Sequence, residues 1–223
     1  MIGIIAAMEV EAELLIASMT DSTSKTISGI AFHTGKLWGK DAVVAVCGIG
    51  KVNAAMCAQT MILSFNPSLI INTGVAGGYA GVGLKVGDVV VATDVVQHDF
   101  DLSPLGESTP HFPCDKDIIE VMCKGEPLSS PAIRTGIIAT GDQFISSSEK
   151  AAEINGKFGA IAFEMEGGSI GQVCHVNGVR FTVIRAISDN GDDNANVDFP
   201  TFTKLAAERS AGILKTFIKE DTK

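Results

Sequence analysis

Glu11, Glu166 and Asp189 are the residues whose placement could do chemistry. Glu166 and Asp189 belong to the stretch IAFEMEGGSIGQVCHVNGVRFTVIRAISD, residues 161–189, which reads as strand, helix, strand, and each falls where a strand ends. In open α/β sheets, ligands bind beyond the carboxyl ends of the strands. On a helical wheel Glu166 points the same way as Ile170 and Val173, the side expected to be buried. A carboxylate among apolar neighbours costs free energy unless something pairs with it. Separated carboxylates flanking a pocket suit cleavage of a glycosidic bond: one protonates the leaving group, another activates water, and positive charge builds on the sugar between them. Glu11 is harder to read. The wheel sets it between Leu14 and Leu15, away from the polar face of Glu9 and Glu13, and its plain reading there is an acidic residue favoured by the helix dipole in a first turn.

The elements that must position these groups follow from hydrophobic pattern. Residues 1–7 read as a buried strand and Met8–Met19 as a helix. Ile30–Thr34 and Ala42–Val46 alternate about a turn near Trp38–Asp41, an antiparallel excursion followed by a core strand. Gly48-Ile49-Gly50-Lys51-Val52-Asn53 then opens a helix to about Ser64. Two nucleotide motifs fail there. A Walker loop requires Gly at Ala45 and Ser or Thr at Val52, and a dinucleotide fingerprint requires Gly at Asn53. Leu69–Thr73 is a strand emptying into Gly74-Val75-Ala76-Gly77-Gly78, and Asp88–Val96 is another, ending at His98-Asp99. Adjacent residues alternate faces on a strand, so that His-Asp pair reads weakly as catalytic. Asp99–Pro131 is the least regular segment, holding Pro104, Pro110, Pro113, Pro127 and Pro131; a loop of that length usually serves a site or a partner. Ala132–Thr140 is a further strand, Gly141–Ile145 the loop beyond it, and Asp198 with Pro200 signal a final helix to about Lys219, with Phe202, Ala206, Ile213 and Phe217 inward. The expected fold is α/β, a single domain over residues 1–223, with a mixed, mainly parallel central sheet flanked by helices on both faces.

Composition narrows the partners. Hydrophobic residues make up 46% and charged residues 19%, a compact globular balance. The net charge of −9 and only four arginines, with no basic stripe, argue against nucleic acid and anionic membrane. The apolar runs fall short of a membrane span, and the first strand lacks a basic flank, so a cytoplasmic protein is expected. The five cysteines, without a C-x-x-C pair, read as reduced core thiols. His98, His111 and Cys114 lack metal-site spacing, so no metal is expected.

Six segments together carry a family resemblance: Ala7-Met8-Glu9-Val10-Glu11, Gly48–Ala55, Asn72–Gly78, Thr140–Ile145, Glu164-Met165-Glu166 and Arg185–Asp189. In order and over nearly the whole chain, they resemble the methylthioadenosine/S-adenosylhomocysteine nucleosidases, the hydrolase branch of the nucleoside phosphorylase superfamily. The resemblance implies a nucleoside phosphorylase-like fold, hydrolysis of the N-glycosidic bond of adenine nucleosides, and no cofactor. It implies Asp189 as the general acid on the departing purine and Glu11 as the residue that holds and deprotonates water. Glu166 would bind the ribose hydroxyls with Met165 against the sugar, and Phe144 would stack on adenine while the Ile145 backbone reads its polar edge. Arg185 and Ser188 would support the site, with Glu164 paired to Arg185. Val75, Ala76 and Gly77 would line it; many relatives have serine where this chain has Val75. Met8, Phe199 and Phe202 would face the far end of the sugar, whose substituent (methylthio, homocysteinyl, deoxy or futalosine-type) the sequence leaves open. A homodimer is implied, in which the loop after the His-Asp pair lends Leu105 and Pro113 to the partner's pocket.

Two other readings stand beside this one. A phosphorylase of the same fold would require an anion site built from arginines, and the glycine corners at Gly48–Gly50 and Gly74–Gly78 are expected to carry no arginine nearby. A non-catalytic nucleoside-binding protein would lose the acid or the base, and here both Glu11 and Asp189 are present.

Overall fold

The computed structural model describes residues 1–124 and 132–220; Pro127 and Pro131 lie outside them. Its elements in chain order are β1 (Ile2–Ala6), α1 (Glu9–Ala17), β2 (Met19–Ile27), β3 (Ile30–Leu37), β4 (Lys40–Val46), α2 (Lys51–Phe65), β5 (Leu69–Gly78), β6 (Val89–Gln97), β7 (His111–Pro113), α3 (Lys116–Met122), β8 (Ile133–Thr140), α4 (Ser148–Phe158), β9 (Ala160–Glu164), α5 (Gly167–Asn177), β10 (Arg180–Asp189) and α6 (Ala195–Glu220).

β5 is the hub. It pairs in parallel with β1 and β10, and its end pairs antiparallel with β9 through Gly77 and Gly78. Because β10 continues through β6 and β8 to β9, the strands β5, β10, β6, β8 and β9 close on themselves, while β1, β4, β3 and β2 extend outward. β1, all five residues of it buried, shows why: an apolar run without alternation belongs inside a sheet covered on both faces. α1 and α3 pack on α6, and α2 packs on α5, covering the two faces.

The sheet is mixed as expected but not mainly parallel. The parallel pairings β1–β4, β1–β5, β5–β10, β6–β8 and β8–β9 are matched by the antiparallel pairings β2–β3, β3–β4, β5–β9, β6–β7 and β6–β10. Five elements differ from the sequence reading. The polar segment Met19–Ile27 forms β2, an edge strand whose only partner among the described residues is β3, so neither of its faces has to be apolar. Within the expected irregular segment Asp99–Pro131, the described residues 99–124 are less irregular than the prolines suggest, since they contain β7 and α3, the latter capped by the Asp115 carboxylate. The last helix starts before Pro200 because the turn Asp192–Asn194 already supplies carbonyls to the Ala195 and Asp198 amides. α4, whose cap is the Ser147 hydroxyl, had no counterpart in the sequence reading.

Candidate active site

The carboxyl ends of β1, β5, β9 and β10 open onto one cavity of about 310 Å³. Its wall includes Met8, Glu11, Val75, Ala76, Gly77, Phe144, Glu164, Met165, Glu166, Ser188, Asp189 and Phe199, twelve of the expected residues. Ile145 lines a small adjoining cavity with Phe144 and Asp189. Arg185 lies beneath the wall, fully buried. Phe202, on half-buried α6 surface, is not part of the wall, which corrects that expectation. Leu105 and Pro113 are exposed and away from this chain's own cavity. Ala7, Ile49 and Phe163 also line it and were not singled out. Ile49 could have been found: it sits between Gly48 and Gly50, both at positive φ, which thrusts the residue between them outward.

Glu11 is buried, contrary to its plain reading as a dipole-favoured residue of a first turn. Its side chain folds back on the turn it follows: Oε2 accepts from the amides of Ala7 and Met8, both at 2.9 Å, and Oε1 accepts from the Val75 amide at 2.9 Å. The approach requires Gly74, since a Cβ there would collide with Glu11 Oε1 and Arg185 Nη1. Burial pushes the Glu11 carboxyl above its ordinary value, and this outweighs the opposing pull of Arg185 and the three amides.

A second cluster surrounds Arg185. Its Nη2 donates to Glu164 Oε2, to Asn72 Oδ1 at 2.6 Å and to Glu166 Oε2 at 3.4 Å. Glu164 Oε2 also accepts from the amides of Glu166 (3.0 Å) and Gly167 (2.7 Å), and the Thr140 hydroxyl donates to its Oε1. Glu166 Oε1 accepts from the Gly50 amide at 2.8 Å, at the N-terminus of α2. The expectation that no arginine lies near the glycine corners is therefore corrected: β10 brings Arg185 against Gly74, but buried beneath the wall and held by carboxylates.

Burial, and then the nearby Glu164 charge, push the Glu166 carboxyl up to about 7. Its proton is bound more tightly in the folded chain, so this stabilisation is complete below the ordinary value of 4.5 and is lost as the pH rises through about 7. A Glu166→Gln variant lacks that titration. Its melting temperature relative to the native chain is expected to rise between about pH 5 and 8, and a flat difference across that window would contradict the assignment.

Asp189, at the end of β10, is also held above its ordinary value by burial, with the Asp198 and Asp192 charges adding to it. The Ser188 hydroxyl donates to its Oδ2 and the Gly191 amide to its Oδ1, both at 2.9 Å, which fixes the carboxyl in the cavity wall. Gly77 makes room, because a Cβ there would stand 2.9 Å from Asp189 Oδ1. At the open end Phe144, 44% exposed, meets Phe199 edge-on with centroids 5.4 Å apart, leaving an aromatic surface free for a planar ligand. The arrangement thus offers an acid, a hydrogen-bonded buried carboxylate and an aromatic platform around one space. No cluster of three or more His, Cys, Asp or Glu side chains that could hold a metal occurs among the described residues.

A closed mixed sheet with carboxylates gathered at its strand ends defines a class, and the family model of the phosphorylase superfamily matches residues 1–219. The 5′-methylthioadenosine/S-adenosylhomocysteine nucleosidase of an Exiguobacterium species is 40% identical over 98% of this chain and 97% of the relative, and that of Shewanella loihica is 39% identical over 98% of both. The solved nucleosidase of Neisseria meningitidis in complex with methylthio-immucillin-A superposes with a TM-score of 0.93 at 38% identity, covering 98% of both chains. A futalosine hydrolase mutant of Helicobacter pylori superposes with a TM-score of 0.90 at 34% identity over the same share of each chain. The chain belongs to the 5′-methylthioadenosine/S-adenosylhomocysteine nucleosidase family.

Proposed function

We propose that this chain hydrolyses the N-glycosidic bond of adenine nucleosides, methylthioadenosine and S-adenosylhomocysteine among them, releasing adenine and the free thioribose sugar. The observation that carries the reading is that Glu11 and Asp189, both buried and both held above their ordinary pKa, line one cavity. Adenine lies on Phe144 with its polar edge toward the Ile145 backbone, and the ribose hydroxyls meet Glu166 with Met165 against the sugar. Asp189, its proton retained by burial, gives that proton to the purine ring as the bond to the sugar lengthens. Positive charge then grows on the ribose, where buried carboxylates stabilise it more than they would in water. Glu11 orients a water and accepts its proton as the new C–O bond forms. Val75, Ala76 and Gly77 bring backbone close to the sugar, Arg185 and Glu164 hold Glu166, and Ser188 holds Asp189. Met8 and Phe199 face the sugar's far substituent.

The test is a panel of methylthioadenosine, S-adenosylhomocysteine, 5′-deoxyadenosine and futalosine in phosphate-free buffer, with adenine and sugar products identified separately. Turnover of the first two without phosphate is expected. Strict phosphate dependence would establish a phosphorylase instead, and tight binding without cleavage a non-catalytic binder.

We infer further that residues 1–223 act as one nucleosidase domain that works as a homodimer in the cytoplasm. Segment 99–131 is its contact, with Leu105, 75% exposed, and Pro113 reaching the partner's pocket. The five cysteines are all free thiols, which suits a reducing compartment. Sedimentation of the same preparation should give twice the chain mass, and cell fractionation should return the protein with the cytosol.

A further inference from the structure

The His98-Asp99 pair that ends β6 has no part in the bond cleavage, yet it stands beside the site. Lys51 Nζ pairs with Asp99 Oδ1 at 2.6 Å, the Asp142 amide donates to Asp99 Oδ2 at 2.9 Å, and the Lys51 amide donates to Asp142 Oδ1 at 2.9 Å. Three segments remote in sequence are tied in one cycle: the N-terminus of α2, the end of β6, and the loop after β8. Two of the three lead directly into the site. The residue before Lys51 is Gly50, whose amide holds Glu166, and Phe144 and Ile145 follow Asp142 by two and three positions.

We propose that Lys51, Asp99 and Asp142 are positioning residues that hold the Phe144–Ile145 loop at a fixed distance from Glu166 and so set the width of the adenine end of the cavity. The loop is also held at its root. The His98 amide donates to the Thr140 carbonyl at 2.9 Å, and the His98 ring packs so closely on Gly141 that a Cβ there would collide with its Nε2. The Lys51 and Asp99 side chains are only 18% exposed, so solvent screens their attraction less than that of an open surface pair. Burial works against ionised Asp99, but Lys51 and the Asp142 amide outweigh it and keep the carboxyl below its ordinary value.

The inference rests on the adenine nucleoside reading and separates from it experimentally. A platform for the base contacts substrate in the ground state and transition state alike, so loosening it removes uniform binding and raises KM more than it lowers kcat. Lys51→Met removes the ammonium while leaving the backbone donor to Asp142; Asp99→Ala removes the other half. For both, KM for methylthioadenosine and the inhibition constant of free adenine should rise together by about tenfold, with kcat changed less than about threefold, as expected for a displaced binding group. Lys51→Arg should recover most of the loss, and melting temperatures should stay close to native. Unchanged KM and adenine inhibition in both variants would overturn the proposal. So would a loss that follows the melting temperature, since that marks a merely structural pair. Failure of the native protein to cleave the nucleoside or bind adenine would instead refute the functional reading.

Discussion

Asp189→Asn is expected to lower kcat by about 10²–10⁴-fold while leaving nucleoside affinity within a few-fold of native. The substitution keeps the shape of the side chain, and its carbonyl can still accept from the Gly191 amide that now bonds Oδ1. What disappears is a transferable proton at the point of the cavity wall where Asp189 is buried. The pH profile supplies a second readout. Burial raises the acid's pKa, so the native rate falls as pH rises through that value and Asp189 gives up its proton to solvent. The variant has no such group and should lose this descending limb. A variant that cleaves methylthioadenosine at the native rate would refute the acid role and leave the fold assignment intact.

Arg185→Leu is expected to cost about 3–5 kcal/mol of stability near neutral pH, the range for removing one partner of a buried ion pair. Arg185 is the cation to which both Glu164 and Glu166 are bonded, and it is wholly enclosed. Without it those carboxylates remain in the interior, still bonded to amides but facing no opposite charge. The loss should depend on pH in a definite direction. Glu166 is already pushed up to about 7. Removing the guanidinium takes away an influence that lowers it, so the folded variant holds that proton to still higher pH. Protonation relieves the unpaired charge, and the deficit should therefore shrink as the pH is lowered from about 8 to 5. Urea midpoints of both proteins at the two pH values measure this. A deficit below about 1 kcal/mol at both would show that the guanidinium is not the counterion the geometry indicates.

Much of the site was legible because its carboxylates stand at strand ends, where a β-branched run gives way to polar residues. Glu166 and Asp189 needed nothing beyond that placement. Glu11 did, because a wheel describes a helix by itself. Its burial comes from the neighbouring strand: β5 lies beside β1, Gly74 has no side chain, and the carboxylate turns back onto the Ala7 and Met8 amides. Hydrophobic alternation likewise missed β2, since an edge strand of Thr, Ser and Asp with both faces wet has no apolar periodicity to show. The parallel bias read from alternating strands and helices failed for a topological reason. β9 and β6 reach their neighbours from the opposite direction, and only long-range pairing reveals this. By sequence the glycine run Gly74–Gly78 reads as the point where a strand gives out, whereas β5 carries on through it to meet β9 and β10.

The closure of β5 onto β10 has a consequence for how the protein comes into being. Glu11 belongs to the first helix and Asp189 to the last strand, and they share a wall only after strands more than a hundred positions apart have found each other. Contacts so distant along the chain form slowly, because loop-closure entropy opposes them before packing rewards them. A growing chain emerging from the ribosome therefore has no functioning fragment, and catalytic competence arrives all at once, with the final third of the polypeptide.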